Sequence, residues 1–257
     1  MDMELKGKKA LVTGSSKGIG LAVAKALAAE GCTVHMVART AETLEAARAE
    51  VVAAGDAQAH AHPTDLSQQG AAEALAQAVG DVDILVNNAG AIPGGDIAAI
   101  DEATWREAWD LKVFGYVNLV RLYYARLKAR GGGVIVNVVG LAGERPDFGY
   151  IAGSAGNAAL MAFSRGVGGR SLDDNIRVVG VNPGPVETDR IITLFRKKAQ
   201  DEFGDPERWR EYMTKQPLGR AAKAEEVADL VTFLASPRAS YISGTVVTID
   251  GGLAHRG

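Results

Sequence analysis

A glycine-rich segment near the start of the chain could bind phosphate. It runs from Thr13 to Gly20, after a short apolar stretch and before a segment with helical spacing. A helix N-terminus offers unpaired N–H groups and a positive dipole end, which a pyrophosphate reaches only past small side chains. Gly14 would permit the turn and Gly18 the approach of the backbone, while Gly20 would let helix pack on strand. The segment therefore predicts dinucleotide contacts from Gly14, Ser16, Lys17, Gly18, Ile19 and Gly20. The alternative is a tight turn that binds no ligand.

Two basic side chains indicate which dinucleotide would bind. NAD sites usually carry an acidic residue at the end of the second strand, where it binds the ribose 2′-hydroxyl. Here that stretch ends Val37-Ala38-Arg39-Thr40 and contains no acid. The guanidinium of Arg39 offers a planar fork for a 2′-phosphate, and Lys17 offers a second positive charge. The sequence therefore predicts NADP, although either base alone could be an ordinary surface residue.

Apolar runs that alternate with helical patterns must position these residues. The runs predict strands at Ala10–Thr13, Thr33–Val37, Ala57–His62, Ile84–Val86, Val134–Val139, Arg177–Asn182 and Thr245–Ile249. Helices are predicted at Ile19–Glu30, in an Ala/Glu-rich segment ending near Gly55, and at Thr104–Arg130, Ala155–Gly169 and Glu225–Leu234. The least regular stretch, Glu187–Pro217, is expected to be either a mobile lid or a solvated pair of helices.

This order of elements predicts the fold class. Strands that alternate with helices need crossover connections, and these connections produce a parallel sheet covered on both faces. We expect a doubly wound α/β fold of the Rossmann type, with about seven mostly parallel strands. No linker interrupts the pattern, so residues 1–257 are predicted to form a single domain.

Composition excludes several other classes of protein. The chain is 47% hydrophobic and 23% charged with a net charge of −3, which favours a globular protein and disfavours nucleic-acid or membrane partners. No apolar run is long enough for a transmembrane helix, and the N-terminus does not resemble a leader. Cys32 is the only cysteine, which excludes an intrachain disulfide and fits a cytoplasmic location. The histidines show no metal-ligand spacing, so no metal is expected.

Further motifs resemble the compact, single-domain branch of the short-chain dehydrogenase/reductase family. They span essentially the whole chain and comprise TGSSKGIG, Asp65, Asn87-Asn88-Ala89-Gly90, Asn182-Pro183-Gly184 with Thr188, Gly244 and Asp250-Gly251-Gly252. The resemblance implies an NADP-dependent oxidoreductase with a small-molecule substrate, and a homo-oligomer that is commonly a tetramer. It also implies contacts to the adenine, ribose and nicotinamide sides of the cofactor, from Asp65, Leu66, Asn87, Ala89, Gly90, Pro183, Gly184 and Thr188.

The positions that carry chemistry in this family depart from its pattern. The family uses a serine, a tyrosine and lysine in Y-x-x-x-K, and an asparagine on the preceding long helix. Alignment of the flanking residues replaces these side chains, in the same order, by Gly140, Gly153, Asn157 and Lys112. One interpretation is a non-catalytic protein that binds NADPH in a regulatory or structural role. The two glycines could also make room for a larger substrate.

In the other interpretation the catalytic groups occupy neighbouring positions. Tyr150 lies about one helical turn before Gly153 and could bring a phenol to the same pocket. We expect Tyr150 as the proton donor, Lys112 as its electrostatic partner and Asn157 as a ligand of ribose or water. The reaction would be hydride transfer to or from a carbonyl, an alcohol or an activated alkene.

Ordinary roles for these residues are the alternative. Tyr150 could simply pack against its neighbours, and Lys112 could extend to solvent or pair with Asp110. Ser154 is not expected to replace the missing serine, because a helix turns it away from position 153.

Overall fold

A seven-stranded parallel sheet organises the molecule. The computed structural model describes residues 2–54 and 58–256. The strands are β1 (Lys9–Thr13), β2 (Thr33–Ala38), β3 (Ala59–Pro63), β4 (Ile84–Asn87), β5 (Gly133–Val138), β6 (Ile176–Pro183) and β7 (Thr245–Ile249). They lie side by side in the order β3-β2-β1-β4-β5-β6-β7, and every pair is parallel. The predicted Rossmann-type class is therefore confirmed.

Helices cover both faces of the sheet. They are α1 (Gly18–Ala29), α2 (Ala41–Ala53), α3 (Ala71–Val79), α4 (Glu102–Trp109), α5 (Gly115–Ala129), α6 (Ile151–Gly168), α7 (Asp189–Phe203), α8 (Arg210–Thr214) and α9 (Ala224–Ala235). Successive side chains of a strand point to opposite faces. On β1, Leu11 accordingly packs in one apolar layer with Leu119 of α5, while its neighbour Val12 packs in the other with Val23 of α1.

The structure differs from the sequence-based expectation in two places. Helix α3 was not predicted, and a π-helical turn at Asp110–Phe114 separates α4 from α5 within the predicted long helix. The stretch Glu187–Pro217 contains α7 and α8, as the helical alternative expects. The expected limits at Gly55 and Ala57 fall outside the described residues.

Strand order places the candidate site. The chain continues from β1 towards β2 and β3 on one side, and from β4 to β7 on the other. Ligands of such sheets bind at the carboxyl ends of the strands where the order reverses. The loops that follow β1, β4, β5 and β6 meet there. Among the described residues, no helix has both the length and the apolar character needed to cross a membrane.

Candidate active site

The glycine loop after β1 fits a phosphate group. Gly14 has a φ of +65°, and a Cβ added there would lie 2.9 Å from the Cα of Ala89. A Cβ at Gly20 would overlap the carbonyl oxygen of Gly14. Because both approaches involve backbone atoms that cannot move aside, the loop requires glycine at both positions. The N–H groups of the first turn of α1, from Gly18 onward, have no intrahelical partner and remain free for an anion.

Two residues that the sequence analysis did not assign to the site hold this loop in place. The hydroxyl oxygen of Thr13 accepts hydrogen bonds from the backbone N–H groups of Asn88 at 2.9 Å and Ala89 at 3.1 Å. The side-chain amide of Asn88 donates to the carbonyls of Thr13 and Gly14, both at 3.2 Å. The adjacent asparagines at the end of β4 were the available signal.

The predicted adenosine end carries an exposed base and a nearby acid. Arg39 is exposed at the end of β2, where it lines a cleft with Ser67, Ala91 and Leu111 among others. Asp65 accepts hydrogen bonds from the N–H and the hydroxyl of Ser67, at 3.1 and 2.7 Å. Partial burial would raise the pKa of Asp65, but these hydrogen bonds and the charge of Arg39 together lower it. The neighbouring Leu66 is buried at 6% exposure.

The remaining predicted cofactor residues range from buried to exposed around the glycine loop. Thr188 lies against the glycine loop, since its methyl group is 3.1 Å from the position of a Cβ at Gly18. Lys17 is exposed, and its ammonium lies 3.9 Å from Asp189. Ile19, Ala89, Gly90 and Gly184 are half-buried in the same region, while Pro183 is buried at the end of β6.

Asn87 is the predicted cofactor residue that the structure does not bring to the cleft. It is fully buried, and its amide donates a 2.9 Å hydrogen bond to Asn137 on β5. Its hydrogen bond links β4 and β5 beneath the site.

Tyr150 occupies the place expected of the family's tyrosine. It precedes α6, and a Cβ added at Gly153 would overlap its ring and lie 2.6 Å from its phenol oxygen. The phenol of Tyr150 therefore lies in the space above position 153, as expected if the catalytic groups occupy neighbouring positions. Backbone hydrogen bonds between Gly95 and the segment from Gly149 to Ile151 hold this region against the loop after β4.

Arg190 is a site residue that the sequence analysis missed. Its Nη2 donates to the phenol oxygen of Tyr150 at 2.7 Å and to the carbonyl of Ile92 at 2.9 Å. It stands in the first turn of α7, directly after the Thr188 motif. A basic residue so close to a predicted cofactor contact was the only signal, and its contact with Tyr150 spans 40 residues of chain.

Asn157 fills the space of the missing serine. A Cβ at Gly140 would lie 2.9 Å from the Nδ2 of Asn157, and Asn157 is buried at 4% exposure. Its Oδ1 has no hydrogen-bond partner in the described part of the chain. The idea that Gly140 and Gly153 make room for a larger substrate is therefore wrong, because Asn157 and Tyr150 fill both places.

Lys112 lies in the π-helical turn and is buried at 8% exposure. Its Nζ donates to the carbonyls of Val138 and Val139, each at 3.0 Å, and to the hydroxyl of Tyr116 at 3.2 Å. Burial, and to a smaller extent the charge of Arg190, lower the pKa of Lys112 to about 7.

These contacts rule out the two ordinary roles considered for Lys112 and define how it could act on the site. It does not extend to solvent or pair with Asp110. It also makes no direct hydrogen bond to Tyr150 or to Asn157, because the backbone at the end of β5 takes its N–H groups. Its ammonium can act on the site only through space. The aliphatic chain of Lys112 packs against Gly90, where an added Cβ would lie 2.5 Å from the Cδ of Lys112.

The site thus combines a phenol, two cations and a side-chain amide next to the glycine loop. A phenol that accepts a hydrogen bond from a guanidinium can give a proton to an oxygen atom or take one from it. Ser154 takes no part in this arrangement, because its hydroxyl accepts a 3.0 Å hydrogen bond from the backbone of Asp147.

Comparisons with known proteins identify the family of the chain. A family model described as short chain dehydrogenase matches residues 8–199. Galactitol 2-dehydrogenase (L-tagatose-forming) of Cereibacter sphaeroides is 34% identical, over 96% of this chain and 95% of that protein. L-sorbose reductase from Gluconobacter frateurii, in a crystal structure with NADPH and L-sorbose, superposes with a TM-score of 0.89 and 32% identity over both whole chains. A 7α-hydroxysteroid dehydrogenase complexed with NADH has a TM-score of 0.85 and 30% identity, over 98% of this chain and 96% of that one. The chain belongs to the short-chain dehydrogenase/reductase family.

Proposed function

We propose that this protein is an NADP(H)-dependent oxidoreductase acting on a small carbonyl compound, its alcohol, or an activated alkene. Its relatives are oxidoreductases of the same fold, matched over nearly their full length. The single observation that carries the proposal is the phenol of Tyr150 above Gly153. It supports a proton donor at the point where the family places one, although the usual residue is absent.

The residues around the glycine loop would hold the cofactor. Free N–H groups of α1 suit the pyrophosphate, and Thr188 lies beside them. The relatives are divided, since one structure contains NADPH and another NADH. The chain's own residues favour NADP, because Arg39 is exposed at the end of β2 and the stretch Val37-Ala38-Arg39-Thr40 lacks the acid that would bind a ribose 2′-hydroxyl. Bound NADP(H) supplies or accepts the hydride.

The protein supplies the proton and the electrostatic field. Tyr150 gives its proton to the substrate oxygen or carbon during reduction and takes one back during oxidation. Arg190 fixes the position of the phenol by its 2.7 Å hydrogen bond. Protonated Lys112 adds positive charge from beneath the site, and because burial lowers its pKa to about 7, this charge is lost as the pH rises above 7. The unpartnered Oδ1 of Asn157 is available to accept a hydrogen bond from a ribose hydroxyl or a water molecule.

Two measurements test this proposal. Titration with NADPH and NADH, followed by nicotinamide fluorescence and by melting temperature, measures whether and which cofactor binds. NADPH oxidation is then screened with ketones, quinones and enoyl thioesters. We expect Tyr150→Phe to lower kcat by about 10²-fold or more. Tyr241→Phe is the matched control, because Tyr241 is 97% exposed and should leave turnover unchanged. Unchanged turnover in Tyr150→Phe would remove the proton-donor role.

The competing function is a non-catalytic NADPH-binding protein. The loss of the family's serine and lysine at Gly140 and Asn157 favours it. Tight NADPH binding without oxidation of NADPH in any reaction of the screen would support this alternative.

We also propose a homo-oligomeric assembly, with the tetramer of the family as the expected state. Light scattering of the purified protein measures it directly. A monomer at micromolar concentration would contradict the proposal.

A further inference from the structure

Arg190 has unused hydrogen-bonding capacity beside the proposed proton donor. A guanidinium carries five N–H donors, and Nη2 alone makes both contacts, to Tyr150 and to Ile92. Within residues 2–54 and 58–256, Nη1 and Nε have no acceptor, and no carboxylate lies within 4.0 Å of the guanidinium. The adjacent Asp189 instead approaches Lys17 at 3.9 Å. Arg190 is therefore held in place without its charge being neutralised.

The surroundings of Arg190 strengthen this positive character. Lys112 is a second cation without a carboxylate partner among the described residues, and the charge of Arg190 contributes to lowering its pKa. The acids near the site are engaged elsewhere. Glu144 accepts hydrogen bonds from Thr248 at 2.7 Å and Asn182 at 3.3 Å, and Asp147 accepts one from the N–H of Gly149 at 2.8 Å. The carboxylates of Glu144 and Asp147 therefore accept hydrogen bonds from neutral donors and make none with Arg190 within the described residues.

Helix α7 places Arg190 next to Tyr150, on the face of the helix that packs against the loop after β4. Residues 190, 194 and 197 share one face of this helix, because they are four and three positions apart. Leu194 on this face packs on the loop after β4, since its Cδ2 is 3.2 Å from the position of a Cβ at Gly94. Lys197 extends over the same glycine and pairs with Asp201 at 3.0 Å. Arg190 is exposed at the start of this face, where its contacts with Tyr150 and Ile92 hold it beside the site.

We propose that Arg190 binds a carboxylate group of the substrate, so that the protein acts on a short-chain 2-oxo acid or the matching 2-hydroxy acid. The proposal rests on the oxidoreductase function above and narrows its substrate class. The planar guanidinium matches the geometry of a carboxylate and forms charge-assisted hydrogen bonds with it. Since Arg190 and the phenol of Tyr150 are in contact, the carboxylate and the reacting oxygen must lie close together on one molecule. A 2-oxo acid meets that requirement, because its two groups are on adjacent carbon atoms.

A binding experiment tests the proposal without any turnover. The protein loaded with NADP⁺, which cannot reduce a ketone, is titrated by calorimetry with 2-oxo acids of increasing chain length and with their methyl esters. We expect at least one acid to bind about tenfold or more tighter than its ester, as one charge-assisted hydrogen bond would give. Arg190→Met should abolish this preference, and Arg190→Lys should retain part of it.

A matched control and two contrary outcomes complete the test. Arg196 lies on the same helix but pairs with Glu207 at 3.1 Å. The Arg196→Met variant should therefore keep the wild-type preference for the acid. Equal binding of every acid and its ester by the wild type would overturn the proposal. So would a loss of NADP⁺ affinity in Arg190→Met that equals the loss for the acid, because Arg190 would then serve the cofactor.

Kinetics supply an independent readout. In Arg190→Met, KM for the acid should rise about tenfold more than KM for the ester, since only the acid loses an ionic contact. An equal fall in kcat for both compounds with unchanged KM would mean that Arg190 only positions Tyr150, which contradicts the proposal. A protein that binds the acid through Arg190 but reduces nothing would contradict the oxidoreductase function and leave the carboxylate site standing.

Discussion

The ring of Tyr150 lies where the side chain of residue 153 would begin. A Cβ built on Gly153 would overlap two ring carbons of Tyr150 and lie 2.6 Å from its phenol oxygen. The tyrosine and the glycine therefore depend on each other. Glycine at position 153 is what allows a tyrosine at position 150 to reach the site.

Exchanging Gly153 for alanine should expose this dependence. An added methyl group would meet the ring, so we expect Gly153→Ala to lower the free energy of unfolding by about 1–3 kcal/mol. The same substitution in a Tyr150→Ala background should cost little, because the obstacle is gone and alanine favours a helix. Urea denaturation of the wild type, both single variants and the double variant measures the coupling. An equal cost of Gly153→Ala in both backgrounds would be inconsistent with the contact.

Gly20 should be essential for cofactor binding. A Cβ at this position would overlap the carbonyl oxygen of Gly14, so Gly20→Ala must distort the loop. We expect NADPH affinity to fall by about 10²-fold, or about 2.7 kcal/mol. Gly166→Ala is the matched control, since it lies in α6 with open space around its Cβ position. That variant should bind NADPH normally and gain about 0.5–1 kcal/mol of stability from its better helix propensity.

The choice between NADP and NAD should follow Arg39. Combining Arg39→Ala with Ala38→Asp removes the base and introduces an acid for the ribose 2′-hydroxyl. We expect the ratio of NADPH to NADH affinity to fall by about 10²-fold, which corresponds to the loss of charge-assisted bonds. Arg170→Ala is the control, because Arg170 follows α6, away from the glycine loop, and pairs with Asp173. An unchanged ratio in the double variant would refute the 2′-phosphate argument.

Lys112 should make the free energy of unfolding increase with pH in the alkaline range. Its pKa is about 7 in the folded chain, against an ordinary lysine value of 10.5, so between these values only the unfolded chain holds the proton. The free energy of unfolding should therefore rise with pH above about 7, with a limiting slope of about 1.4 kcal/mol per pH unit from this group.

Lys112→Met should remove this contribution. The free energy of unfolding is measured by urea denaturation from pH 7 to 9 for wild type and variant. Taking the difference between the two removes the contribution of the other titrating groups. Lys128→Met provides the control, since Lys128 is mostly exposed and pairs with Asp174 at 2.8 Å. Parallel pH curves for the wild type and Lys112→Met would show that Lys112 keeps its proton across this range.

A group of three histidines should make the protein sensitive to acid. His35 on β2 lies 3.0 Å from His62 on β3, nitrogen to nitrogen, and its ring stacks on that of His60 with centroids 5.0 Å apart. Burial, followed by the charges of His62 and His60, lowers the pKa of His35 to about 4.

As pH falls from about 6.5 to about 4, the unfolded state therefore takes up a proton that the folded His35 refuses, and stability is lost. His35→Gln should remove about 1–2 kcal/mol of the pH dependence between pH 7 and pH 4.5. The exposed His255→Gln should leave the pH profile of the unfolding free energy unchanged. The same pH dependence in His35→Gln as in the wild type would assign the acid sensitivity to other groups.

Local patterns in the sequence were sufficient to predict the fold and the glycine loop after β1. The valine-rich strands, helical spacing and glycine loop depend on neighbours within a few residues, so β1, α1 and the turn between them follow from the chain itself. Helix α3, only nine residues long, was missed although its buried residues Ala72, Leu75 and Ala76 have helical spacing.

The catalytic side of the site depends on contacts between distant parts of the chain. The sequence by itself gives Gly140, Gly153 and Asn157 at the positions where the resemblance implies serine, tyrosine and lysine, with Tyr150 three residues before Gly153. Only the tertiary structure decided that Arg190, 40 residues later, contacts Tyr150, and that Lys112 bonds to the end of β5. Spacing along a helix predicts contacts within that helix, whereas the packing of α7 and β5 around Tyr150 decides which cation reaches the phenol.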